Sequence, residues 1–346
     1  MNESSPSVID PQSRHRVALK LLGSALGPLV ALVVVVLLFW AADVTQSRLK
    51  GRQPRFATVT SAQIVLRDAS EFGVAALGMT IIIIAGGIDL SAGTAIALSA
   101  TVAAWFFRGG YPAAVGVTAG VLTGCAAGFV NGVLISGLRV VPFIVTLGTM
   151  AAFEGLARIL AHDTPIRAFG KVSDKILNLQ VPYPEPEWLG VSSGVWVMVV
   201  LAVIVAAILK YTIFGRHTFA LGSNEATARL CGVPVNFTRI AVYTLAGFFV
   251  GVAGLFQFAQ LSGEGDPKQG MGKELTIIAA VVIGGGSLNG GRGSVLGTLS
   301  GVCIIAVILR GCIALEIAPA YQRLLVGIII VAAVTIDQIR QRRFAE

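Results

Sequence analysis

Apolar positions along this chain fall into long unbroken runs, separated by short polar stretches that carry most of the charge. The runs cover about ten segments, at 21–42, 65–86, 92–107, 112–136, 142–160, 193–214, 240–261, 275–283, 295–309 and 324–336. Strict two-residue alternation is absent and the runs are too long for buried strands, so each predicts a helix. A helix crossing a bilayer needs ~20 mostly apolar residues. The eighth and ninth runs fall short of that and are expected to be tilted, broken or partly re-entrant. The pattern therefore predicts an all-α polytopic membrane protein with about ten transmembrane helices.

Composition agrees. Of 346 residues, 55% are hydrophobic and only 13% charged, against ~25% charged in a soluble domain, and the mean hydropathy is +0.81. The formal net charge of +8 resides in scattered loop residues with no aromatic-interleaved basic patch, which argues for membrane flanks and lipid contact rather than nucleic acid. The first run follows a polar segment containing Arg14, His15, Arg16 and Lys20. It is too long for a secretory signal and reads as an uncleaved anchor. The expected organisation is a cytoplasmic segment 1–20, a transmembrane domain 21–338 and a cytoplasmic tail 339–346. Within the domain, 215–239 is a cytoplasmic loop and 161–192 an external one. The basic C-terminus and the basic loop 215–239 favour a cytoplasmic N-terminus, whereas Arg48, Lys50, Arg52 and Arg55 fall on the other side and oppose it. Cys125, Cys231, Cys303 and Cys312 form no CxxC pair, and His15, His162 and His217 lie in separate polar loops. No metal site, cofactor site or catalytic constellation is expected.

The stretch "IIAAVVIGGGSLNGGRGSV" at Ile277–Val295 raises the question of a phosphate-cradling loop. A P-loop needs a lysine and a hydroxyl after its second glycine. Counting from Gly286, the residues after Gly291 are Arg292 and Gly293. The dinucleotide pattern fails as well, because Asn289 occupies its third glycine position. The stretch reads as a sharp turn between membrane helices, with Arg292 directed to headgroups. Gly293, Gly297 and Gly301 then open the ninth run at four-residue spacing. Gly116, Gly120, Gly124, Gly128 and Gly132 do the same through the fourth run, and Gly247 and Gly251 mark the seventh. A four-residue step advances ~40° around a helix, so these rows make slowly winding flat stripes for close helix packing.

The most informative polar stretch is "FGRHTFALGSNEATARLCGVPV". Ser223 or Asn224 is suited to an N-cap, Glu225 to the first turn and Arg229 to an i,i+4 pair. Gly232 and Pro234 are suited to end the helix. Helices shorter than ~12–15 residues are marginal alone, so this one must pack on something. It either rests on its own membrane domain or docks into a separate cytoplasmic protein.

Four ordered motifs carry a family resemblance: "ALGMTIIIIAGGIDLSAG" (76–93), "VPFIVTLGTMAAFEGLA" (141–157), "ALGSNEATARLCGVPV" (220–235) and "IAAVVIGGGSLNGGRGSVLGTLSG" (278–301). Over roughly residues 20–340 the chain resembles the permease subunit of bacterial ABC importers for monosaccharides, the ribose/xylose/arabinose/galactose group. The resemblance implies a type II-like importer architecture and a dimer with a second copy or a paralogue in the inner membrane. It also implies two cytoplasmic ATPase subunits and a periplasmic sugar-binding protein. The segment 223–232 would be the coupling helix, with Ser223, Asn224, Glu225, Ala226, Arg229, Leu230 and Gly232 facing the ATPase. The chain itself would not be an enzyme. Glu154, Thr276, Asn289 and the proline-containing loop 161–192 depart from the family pattern. Other readings are a permease for a cyclitol or amino acid, a stand-alone secondary transporter and a membrane scaffold. The secondary transporter would need buried ionisable coupling residues and inverted repeats; the apolar runs carry few such charges and show no clear repeat, which counts against it.

Asp89, Asn131, Thr146 and Thr149 are candidate pathway residues, since sugar hydroxyls require donors and acceptors. Each is equally suited to a structural role: Asp89 with Ser91 as a cap of the third run, the others as interhelical hydrogen-bonding groups. Glu154 and Arg158 are spaced to pair near the outer end of the fifth run.

Overall fold

A computed structural model describes residues 11–182 and 190–345. The start of the N-terminal segment, Pro184 and Pro186 of the proline-containing loop, and Glu346 lie outside the described residues. Thirteen α-helices account for nearly all regular structure among them. The long ones are α1 (Pro11–Leu49), α2 (Val59–Ile84), α3 (Ala92–Arg108), α4 (Ala113–Leu138) and α5 (Pro142–Ala161). After the short α6 (Asp174–Leu177) come α7 (Ser193–Tyr211), α8 (Ile213–Ser223) and α9 (Glu225–Leu230). The chain continues through α10 (Val235–Gln260), α11 (Lys273–Ile283), α12 (Val295–Ala314) and α13 (Pro319–Ala345). Each apolar run thus falls on its own helix. Six described helices are both long and apolar enough to cross a membrane: Gly27–Leu49 of α1, and α4, α5, α7, α10 and α12. The 26-residue α2 carries Arg67, Asp68 and Glu71, while α3 has only 17 residues and α11 only 11.

Helix ends depart from the apolar runs where a cap, not hydropathy, sets them. α2 starts at Val59, six residues before its run, because Thr58 Oγ1 accepts from Ser61 N at 3.1 Å. The sixth run, read as ending at 214, stops at Tyr211. Thr212 then caps a new helix by accepting from Gly215 N at 3.2 Å. The stretch 215–223, expected to be loop, therefore belongs with the last two residues of the run to the eleven-residue α8.

The core is built around α2 and α10, which bury Ile81–Ile84 and Phe249, Phe256 and Phe258. α4 lies along α10 more extensively than any other helix pair. The glycine row explains the closeness. A Cβ on Gly124 would strike the backbone of Gly247 and Gly251, one on Gly128 the backbone of Tyr243 and Gly247, and one on Gly132 would come within 2.8 Å of Ile240 Cα. Higher up, the winding stripe has turned toward α3: Gly116 meets the Phe107 ring and Gly120 meets Ala103 and Leu255. On α12, Gly297 and Gly301 press on the carbonyls of Gly284 and Ala280 at the end of α11, while Gly293 meets the Ile84 side chain. Without a hydrophobic force between helices in lipid, such dispersion-rich contact is what holds them together.

Loops gather at two faces. On one, 162–182 and 261–272 are joined by a two-stranded antiparallel ladder, with β1 (Ile166–Arg167) on β2 (Glu264–Gly265). The same face carries the α1–α2 and α12–α13 loops, joined by a Lys50–Glu316 ion pair of 2.8 Å. Glu154 and Arg158 lie toward this face and pair at 2.6 Å. The opposite face carries α8, α9, the glycine turn and the loop between α2 and α3.

Candidate functional site

α9 stands out on its face because both its ends are closed by local chemistry. Asn224 sits in extended backbone, and its Oδ1 accepts from Thr227 N at 2.9 Å. Ser223 ends α8 instead of beginning α9, so Asn224 alone is the N-cap. At the other end Gly232 adopts φ +82°. Gly232 N donates to Arg229 O at 3.1 Å and Val233 N to Ala228 O at 3.0 Å, which together close a Schellman motif. The helix is six residues long, shorter than the stretch 223–232 read from sequence, because Cys231 and Gly232 belong to its cap. It buries Ala228 alone. Glu225, Ala226, Thr227, Arg229 and Leu230 are exposed, and Leu230 reaches 88%. Phe237, at the foot of α10, is 72% exposed beside it.

Two carboxylate contacts tether α9. Glu225 Oε1 accepts from Arg229 at 2.9 Å and Oε2 from Arg239 of α10 at 2.6 Å. Burial would push the Glu225 carboxyl up, but the Arg239 charge and hydrogen bonds from Arg229 and Arg239 outweigh it and hold the group below the ordinary glutamate range. A depressed folded value means the tether is fully present above ~4.3, the unfolded value, and is lost as pH falls through the folded one. Amide hydrogen exchange of α9, corrected for intrinsic rates, is expected to be constant from pH 8 to ~5 and to accelerate below ~4. Equal protection of α9 in Glu225→Gln and in the parent at neutral pH would show that Glu225 does not hold the helix.

The base of α8 and α9 is keyed into the membrane domain by glycines. A Cβ on Gly222 would strike Ile84 O and Gly291 N, and Gly291 N itself donates to Ile84 O at 2.9 Å. Gly290, at φ +85°, presses on Gly222 O and Gly86 Cα. The glycine turn 284–294 thus makes a backbone joint between α2, α8 and α12. Arg292 is exposed at its edge.

From Gly86 the chain enters a buried polar cluster. Asp89 Oδ1 accepts from Ser91 N at 2.8 Å and Ser91 Oγ at 2.6 Å. Asn131 Nδ2 donates to Ser91 Oγ at 2.8 Å, and Asn131 Oδ1 accepts from Thr149 Oγ1 at 2.7 Å. Thr146 Oγ1 lies 3.3 Å from Ile88 O. All four candidate pathway residues therefore meet in one network joining the α2–α3 loop to α4 and α5. Asp89, Asn131 and Thr146 are at most 5% exposed and Thr149 is 8% exposed.

Sequence reasoning missed two residues that connect this cluster to α9. Tyr243 of α10 lies 3.4 Å from Ile88 O through its hydroxyl, and a Cβ on Gly87 would sit 2.5 Å from the Tyr243 hydroxyl oxygen. Arg239, one turn earlier on α10, holds Glu225. A line thus runs from Glu225 to Arg239, one turn along α10 to Tyr243, and on to Ile88, Asp89, Ser91, Asn131 and Thr149. Among the described residues no group of three His, Cys, Asp or Glu side chains is placed to hold a metal.

Closely packed apolar helices around a buried hydrogen-bonding cluster, with an exposed capped helix at one face, define a multi-pass membrane transport subunit. The chain belongs to the family described as the permease component of branched-chain amino acid transport systems, whose profile matches residues 61–334. It is 36% identical over 289 residues to the ribose import permease protein of Escherichia coli K12, covering 83% of this chain and 88% of that one. To the Bacillus subtilis ribose import permease protein it is 34% identical over 313 residues, covering 90% and 92%. To an L-arabinose ABC transporter permease protein of Azospirillum brasilense it is 34% identical over 290 residues, covering 84% and 83%. No solved structure matches the chain.

Proposed function

We propose that the chain is the membrane-spanning permease of an ATP-driven importer for a monosaccharide, carried in the inner membrane with both termini and α9 on the cytoplasmic side. It works as a dimer with a second copy or a paralogue. Two cytoplasmic ATPases engage α9, and an external sugar-binding protein docks on the face that carries the β1–β2 ladder. Relatives named for ribose and L-arabinose support the substrate class. The observation that carries the mechanism is the line from α9 through Arg239 and Tyr243 to the Asp89–Asn131 cluster. Closure of the ATPases pulls α9, the Glu225–Arg239 tether passes the pull to α10, and Tyr243 with the Gly222–Ile84 joint shifts the α2–α3 loop. Asp89, Asn131, Thr146 and Thr149 then exchange partners as the helices change their opening. Amide and hydroxyl groups suit a neutral polyol, and weak binding suits a path in which an external protein selects the cargo.

Reconstitution with the cognate ATPase and binding protein tests the substrate class. ATP-dependent uptake into vesicles should occur with ribose or L-arabinose and not with leucine. Uptake of leucine with no response to any sugar would assign the chain to the amino-acid carriers named in its family description.

A further inference from the structure

A second feature lies away from the transport line. Where α1 leaves the bundle, its side chains and the start of α2 enclose a groove closed behind by Cys303 and Val307 of α12. Its volume is about 660 Å³, and Leu32, Val36, Trp40, Phe56, Val65 and Leu66 are among the apolar side chains of its wall. That size falls within the ~300–1,000 Å³ of ordinary ligand sites.

The polar end of the groove is built with care. Asp43 is fully buried, and its Oδ2 accepts from Arg55 N at 2.7 Å and Phe56 N at 2.8 Å. This fixes the α1–α2 loop, and the Phe56 ring lies 6.0 Å from that of Phe39. Ser61 lines the groove at this end. Arg310 of α12 is partly buried and donates its Nε to Ser61 Oγ at 3.0 Å. Among the described residues no carboxylate pairs with Arg310. Lys50, Arg52 and Arg55 cluster at the same end, and among the described residues Asp43 and Glu316 are the carboxylates that pair with them. Trp40 is 48% exposed on the groove wall, where an amphipathic ring marks the headgroup level of a bilayer.

We infer that this groove holds an anionic phospholipid, one acyl chain lying between α1 and α2 and the phosphate seated on Arg310 and the Arg55 end of the basic cluster. The chemistry is complementary at both ends. An apolar trough open along a lipid-facing helix takes an acyl chain at no polar cost. A partly buried guanidinium without a carboxylate needs an anion, which a zwitterionic headgroup supplies less well than a net negative one. The inference requires only that the chain spans a membrane, so it stands or falls independently of the transported solute. It also gives the basic cluster between α1 and α2 a role that a side rule for loop charges does not.

Trp40 provides the probe. A variant of the full chain that keeps Trp40 and replaces Trp105, Trp188 and Trp196 with Phe would be placed in phosphatidylcholine vesicles. These would be doped with brominated phosphatidylglycerol or with brominated phosphatidylcholine, bromine quenching tryptophan on contact. The expected result is half-maximal quenching by the anionic lipid at a several-fold lower mole fraction. Arg310→Gln should abolish that preference and Arg310→Lys should retain most of it. Equal quenching by both lipids in the parent variant would mean ordinary bilayer contact and overturn the proposal. Protection from both would mean that protein covers the groove and would overturn it too. Should the tryptophan replacements impair folding, native mass spectrometry of the otherwise unaltered chain supplies the second readout. Co-purified phosphatidylglycerol should be lost in Arg310→Gln, and its undiminished retention would count against the site.

Discussion

Gly124→Leu will abolish recovery of a folded, monodisperse protein, while Gly148→Leu will leave it intact. The two substitutions add the same side chain to a membrane helix and improve the local helix propensity by the same ~0.8–1 kcal/mol. They differ in what the new atoms meet. At Gly124 the first added carbon already collides with the backbone of Gly247 and Gly251, whereas at Gly148 nothing lies within 4 Å. Backbone cannot rotate aside as a side chain can, so α4 must be pushed off α10 along the seam that runs from Gly120 to Gly132. Overpacking a tight interior costs ~1–3 kcal/mol even where side chains can yield, and here three more carbons follow the first. Size-exclusion profile and thermal midpoint in detergent provide the check. A Gly124→Leu protein that elutes and melts like the parent would mean that α4 and α10 do not touch in the membrane.

This packing was open to reading in the sequence because it is written at a fixed four-residue interval on single helices. The same holds for the short helix: Asn224, Glu225, Arg229 and Gly232 lie within nine positions of one another, and caps act locally. What sequence concealed was anything set by distant partners. α8 was hidden because Arg216 and His217 make its stretch look like loop, and its start depends on one hydroxyl, that of Thr212. Asp89, Asn131, Thr146 and Thr149 could each be picked out as polar groups in apolar surroundings, but not as one network, since the helices that carry them meet only in the fold. Arg239 resembled any other basic loop residue until folding set it 2.6 Å from Glu225. Tyr243 resembled a core aromatic, and only the approach of Gly87 and Ile88 gives its hydroxyl a partner. The groove beside α1 has no periodic signature, because three separate helices build it.

The largest functional effect is expected at α9, which carries the central claim that an exposed, capped helix receives the ATPase stroke. Leu230 and Ala226 lie on its free surface, so changing them disturbs no contact within the membrane domain. Leu230→Asp would remove an apolar anchor worth ~1.5–3 kcal/mol when buried, which weakens association ~10–100-fold. Ala226→Trp would place an indole where a partner's groove must close on a methyl group. Glu225→Arg acts differently: it puts a cation at the positive end of the helix and repels Arg229 and Arg239, at ~1 kcal/mol. Gly232→Val forces a β-branched residue to φ +82°, where such residues are strained, with no steric clash to confuse the result. All four variants should insert; Leu230→Asp and Ala226→Trp should melt like the parent, Glu225→Arg and Gly232→Val should loosen α9 alone, and uptake should fall furthest in Ala226→Trp. The most direct measurement is the affinity of the purified cytoplasmic ATPase for the permease in nanodiscs, wild type against Ala226→Trp, with thermal midpoints recorded on the same samples. The account predicts unchanged midpoints and an association weakened ~10-fold or more. Wild-type affinity in a variant that still folds would contradict it and leave α9 as a packed loop with no part in transmission.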